Sequence, residues 1–125
     1  MTGVATDTGA AAGGEGTDLR IEITADEPGA AVLRLAGRLD ALQAPELDAR
    51  FRELVPLGRV RLLVDLSAVG FVDSAGLAVL VRARRTTREH GGDVVLIRPR
   101  SPEGQRVFRL TQFDQVFRML DESPR

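Results

Sequence analysis

The run Val60–Leu66 (VRLLVDL) constrains this chain more than any other stretch. Apart from Arg61 and Asp65 it is Val and Leu, which reads as a strand buried on both faces of a sheet. A short bend, Ser67-Ala-Val-Gly70, follows, then Asp73-Ser-Ala-Gly76 and a helical run from Leu77 to His90. A buried strand, a tight loop and a helix start place Ser74 on or beside the helix's first turn. Polar groups there are exposed and oriented by free backbone N–H groups.

The flanking sequence completes an α/β pattern. Leu19, Ile21 and Ile23 alternate with Arg20, Glu22 and Thr24, the period of a half-buried strand. Asp26-Glu-Pro-Gly29 supplies a turn, with Gly allowing φ > 0. Leu33, Leu35 and Leu39 alternate with Arg34, Ala36 and Arg38, so a second strand returns antiparallel and ends at Gly37-Arg-Leu-Asp40. Pro45-Glu46 opens a helix whose apolar face is Leu47, Phe51, Leu54 and Val55, and Pro56 and Gly58 stop it. After the Ser74 helix, Gly91-Gly92 precedes a strand over residues 93–97. Ser101-Pro-Glu103 starts a third helix with Val107, Leu110 and Phe108 facing inward, and residues 117–120 form a last strand. The order β-β-α-β-α-β-α-β predicts a mixed sheet: an N-terminal antiparallel hairpin, then β-α-β crossovers, packed with three main helices.

Residues 1–17 are Gly, Ala and Thr with almost no bulky apolar side chain, so they are expected to form a disordered tail. The domain is expected over residues 18–121, with a short polar end at 122–125. Its 125 residues and formal charge of −1 exclude the basic excess of a nucleic-acid surface. The chain has no Cys, which removes disulfides and thiolate metal sites and suits a reducing cytoplasm. No apolar run approaches the ~18 residues of a membrane span, and no signal peptide is evident.

What chemistry can Ser74 support? A nucleophilic Ser needs a base, usually His. The only His, His90, lies along the same helix, roughly 24 Å away at ~1.5 Å per residue. No P-loop and no G-x-G-x-x-G is present, so neither a nucleotide nor another cofactor is expected in this chain. Asp40, Asp65 and Asp73 suit capping or surface roles better than metal binding, and His90 suits a cation near a helix C-terminus. An enzyme is therefore not expected. Asp73 or Ser74 could serve as a helix N-cap worth about 1 kcal/mol. Gly76 does not fit pure capping, because Gly in a first turn costs about 1 kcal/mol relative to Ala. Its presence points to a close approach to the backbone.

The segment Asp65-Leu-Ser-Ala-Val-Gly-Phe-Val-Asp-Ser-Ala-Gly-Leu77 resembles the central motif of the STAS-domain anti-sigma factor antagonists. Gly37-Arg-Leu-Asp40 is similar to that family's G-x-L-D, and Thr111-Gln-Phe-Asp114 with Val116-Phe117 resembles the lead-in to its last strand. The resemblance covers residues 18–120 and implies a partner switch. A serine kinase that doubles as an anti-sigma factor would phosphorylate Ser74. The unphosphorylated protein would bind that kinase and free a sigma factor, and a phosphatase would reset it. Asp40 and Asp73 would dock and orient the kinase, with Ala75, Gly76 and Leu77 completing the partner-binding set. ATP would belong to the partner. Ala75 departs from the second Ser common in the family and leaves Ser74 as the lone acceptor. Family members usually continue past the last strand into a helix, so one flank of the sheet is expected to be less covered here, or used for self-association. The alternative implied function is a STAS scaffold module in a stress-signalling or transporter-associated assembly.

Overall fold

The structure is a computed structural model that describes residues 18–122; the tail expected over 1–17 and the last residues, 123–125, lie outside it. Strands β1 (Leu19–Thr24) and β2 (Ala30–Leu39) form the antiparallel hairpin. Helix α1 (Ala44–Leu54) leads to β3 (Arg61–Val72), α2 (Ser74–Glu89) to β4 (Asp93–Ile97), and α3 (Pro102–Thr111) to β5 (Arg118–Leu120). The sheet order is β1-β2-β3-β4-β5, and every pair after the hairpin is parallel. The mixed α/β class read from the sequence is thus the observed one.

Because each parallel strand is added on the same side of the previous one, right-handed crossovers put all three helices on one face. Leu33, Leu35, Leu62, Val64, Val94 and Leu96 are buried on that face. The opposite face carries Val32, Arg34, Leu63, Asp65 and Val95, which keep partial or full exposure. This corrects the expectation that β3 is buried on both faces. Covering both faces requires crossovers that run in two directions along the sheet, and here they run in one.

The expected bend at Ser67–Gly70 is also strand. The pairing of β2 with β3 slips between Arg34 and Ala36 and again between Gly37 and Arg38. At each slip β3 carries one extra residue, so its inward positions run Leu62, Val64, Leu66, Val69, Val72. Residues of low strand propensity mark two β-bulges, which bend a strand and increase its twist without ending it.

The other elements keep their expected places with two exceptions. Val55 is half-buried in a 3₁₀ turn after α1, while Ala44, Leu47, Phe51 and Leu54 form the helix's buried face. Leu110 points outward at 68% exposure, whereas Phe108 is buried and Val107 packs against the core. Phe108 and Leu110 are two positions apart on a helix, about 200° round its axis, so they cannot share a face.

Candidate functional site

The bulged end of β3 delivers Asp73 alongside the end of β2, where the Asp73 N–H donates to the Leu39 carbonyl at 3.2 Å. Asp73 has extended backbone geometry and is the N-cap of α2. Its Oδ1 accepts from the N–H groups of Ala75 (2.9 Å) and Gly76 (3.2 Å). Ser74 is therefore the first helical residue, and it is exposed. The choice of cap that the local pattern left open falls on Asp73.

The second oxygen of Asp73 reaches across the chain. Oδ2 accepts from the Ala41 N–H at 3.2 Å, a contact between residues 32 positions apart. Ala41 belongs to the turn Asp40–Gln43 that joins β2 to α1. Asp40 closes that turn: its carbonyl accepts from Gln43 (3.0 Å) and Ala44 (2.7 Å), and its Oδ1 accepts from Gln43 N–H (3.1 Å). The Oδ2 of Asp40 receives the Arg38 guanidinium at 3.2 Å. That guanidinium lies 4.0 Å over the Phe71 ring, a cation–π arrangement. One carboxylate thus braces two loops, the second shapes its own turn, and Asp40 and Ser74 share one surface.

Gly76 answers the question its position raised. A Cβ there would lie 2.6 Å from both the Leu39 side chain and the Leu39 carbonyl oxygen. The close approach is internal: the start of α2 packs directly onto the end of β2. Gly76 and Leu77 are both buried, so their part in the site is to seat the helix, and the accessible surface comprises Asp40, Asp73, Ser74 and the half-buried Ala75. The Asp73–Ala41 bridge had no signal in the sequence, since no periodicity links residues so far apart.

Among the described residues, no side chain makes a hydrogen bond to the Ser74 hydroxyl. Asp73 is held by three N–H groups. His90 lies at the far end of α2, with Nδ1 donating to the Thr86 carbonyl at 2.9 Å. Asp65 accepts from the Ser67 N–H at 2.9 Å on the far face of the sheet. No described helix is long and apolar enough to cross a membrane.

A strand feeding an exposed Ser at a helix N-terminus, on a sequentially ordered mixed sheet, has a counterpart among known proteins. The family model described as "Mlab, STAS domain" matches residues 23–121. The chain belongs to the STAS-domain family. The anti-sigma-F factor antagonist RsfB of Mycobacterium tuberculosis is 33% identical to it over 97 residues, 77% of each chain. Among solved structures, an anti-sigma factor antagonist from Mycobacterium paratuberculosis superposes with a TM-score of 0.73 at 27% identity, over 84% of this chain and 87% of that one. The phosphorylated form of the Bacillus cell fate determinant SpoIIAA shares the fold at a TM-score of 0.64 and 20% identity, over 82% of this chain and 92% of that one.

Proposed function

We propose that this STAS domain is an anti-sigma factor antagonist that works in the cytoplasm and is controlled by phosphorylation of Ser74. The observation that carries the reading is Ser74 itself: an exposed hydroxyl at the first position of α2, directly after a cap that leaves it free. The relationship to named antagonists supports the same partner class. The unphosphorylated surface binds an anti-sigma factor that is also a serine kinase, and so releases a sigma factor. That kinase holds ATP. The Ser74 oxygen attacks the γ-phosphorus, an O–P bond forms, the bond to ADP breaks, and the hydroxyl proton passes to a base of the kinase. A phosphatase hydrolyses the ester and restores the hydroxyl.

The switch works through charge at an interface. A phosphoserine adds about −1.5 to −2 charge at neutral pH. At a helix N-terminus this is favourable by about 0.3–1 kcal/mol, so the fold is retained. The same charge stands beside Asp73 and on the surface that holds Asp40. A partner face shaped for a neutral hydroxyl meets a bulkier dianion, and a loss of about 3–4 kcal/mol weakens binding by a few hundredfold. The direct test is to incubate the protein with candidate anti-sigma kinases and ATP and to weigh it. One added phosphate, absent from Ser74→Ala, supports the reading; no phosphate with any such kinase favours the scaffold module instead.

A further inference from the structure

We propose that strand β1, at the edge of the sheet, pairs antiparallel with β1 of a second copy of this chain, in one register centred on Ile21. The inference is independent of the antagonist reading. β1 has β2 as its only strand neighbour. Among the described residues, no backbone group of residues 20–24 bonds outside that hairpin. Only the Leu19 N–H, at the start of the strand, is taken, by the Gln43 side-chain oxygen at 3.4 Å. A row of N–H and C=O groups without a strand partner is a template for another strand, and sheets often blunt such an edge with Pro or a bulge. β1 has neither: all six of its residues pair with β2 without a slip.

The core also stops short at this edge. Ile21 and Ile23 stand opposite Leu35 and Leu33 and so point to the helix face, yet they are half-buried where Leu33 and Leu35 are buried. The right-handed crossover from β2 to β3 sets α1 over those two strands, and β1 leads into no helix. In a pair centred on Ile21, the two Ile21 side chains meet across the seam. Leu19 stands opposite Ile23 of the second copy, so the apolar row continues from one sheet into the next.

Charge selects both the partner and the register. In an antiparallel ladder, opposed residues both turn their N–H and C=O toward the neighbour or both away. Two identical strands related by a two-fold axis can therefore pair only about a residue. Centring on Leu19, Ile23 or Thr24 runs the ladder past an end of the strand. Centring on Arg20 or Glu22 sets that charge against its own copy, which is unfavourable. Centring on Ile21 sets Arg20 opposite Glu22 of the second copy and, by symmetry, Glu22 opposite its Arg20. Both side chains are exposed, and neither has an ion-pair partner among the described residues. The strand is thus complementary to itself, as an isologous interface requires.

The test is sedimentation of the full chain across a concentration series. The seam is small, so the wild-type dimer should form with a dissociation constant on the order of 10–100 µM. Arg20→Glu and Glu22→Arg each make both cross-strand pairs repulsive, and each should self-associate at least about tenfold more weakly. Mixed in equal amounts, the two variants should dimerise again, because every opposed pair in the mixed dimer is acidic against basic. Glu22→Arg also faces Arg34 across the hairpin, and the mixed dimer is a readout that a weakened fold cannot mimic. A wild-type chain that stays monomeric to about 500 µM, with the edge left open or covered by residues 1–17, overturns the proposal. So do single variants that dimerise as tightly as wild type, or a mixture no more associated than its components.

Discussion

Replacing Asp73 separates its two duties, because the two oxygens of one carboxylate serve different loops. In Asp73→Ala, the N–H groups of Ala75 and Gly76 lose their cap and Ala41 N–H loses its acceptor. An N-cap is worth about 1 kcal/mol, and a hydrogen bond to a charged group about 1.5 kcal/mol. The expected cost is about 2.5 kcal/mol, a fall of roughly 10–20 °C in midpoint for a domain of this size. Asp73→Asn keeps an oxygen for the cap, since Asn caps helices as well as Asp, but turns an amide N–H₂ toward Ala41 N–H. It should lose only the brace, about 1–1.5 kcal/mol, or roughly 4–12 °C. Urea and thermal unfolding of the three proteins measure both steps. An Asp73→Asn protein as stable as wild type, or a loss under about 0.5 kcal/mol in Asp73→Ala, would show that the bridge between the loops carries no energy.

Gly76→Ala should destabilise by about 2 kcal/mol, although Ala is the better helix former, because its Cβ meets the Leu39 carbonyl. Gly70→Ala, whose Cβ would meet nothing within 4 Å, should stay within about 0.5 kcal/mol by the same urea titration. Phe108→Ala should cost about 3–5 kcal/mol and Leu110→Ser under about 0.5 kcal/mol, opposite outcomes from one helix that calorimetry resolves. Ser74→Asp should melt within a few degrees of wild type, since an acidic group near a helix N-terminus is favourable; a midpoint far below wild type would mean that the negative charge unfolds the domain and does not merely block an interface.

Much of this molecule is legible in its sequence because local signals and topology agree. Alternation of Leu33 and Leu35 with Arg34, the Pro45 and Pro102 helix starts, and the Gly29 turn each report a local backbone preference that the fold uses. Where reading by period failed, a non-local cause intervened. The bulges in β3 shift its inward set from every second residue to every third, so Val69 is buried where strict alternation would place Ala68 and Gly70, and the second bulge brings Val72 inward. Gly70 looks like a turn residue in sequence and is strand in structure. The single covered face follows from strand order, which no one strand's hydrophobicity reveals. In the site, the Asp73-Ser-Ala-Gly76 run announced a special helix start, yet its reason lay in Leu39 and Ala41, residues set by tertiary contact.

The claim that matters most is that one hydroxyl controls which partner this surface accepts. The affinity of a purified anti-sigma kinase for the protein before and after stoichiometric phosphorylation, with the modified residue located by mass spectrometry, addresses it directly. A single phosphate on Ser74, affinity lower by a few hundredfold, and an unfolding midpoint within a few degrees of the unmodified protein is the expected result. A phosphate carried elsewhere, or one on Ser74 that leaves affinity unchanged, would contradict it.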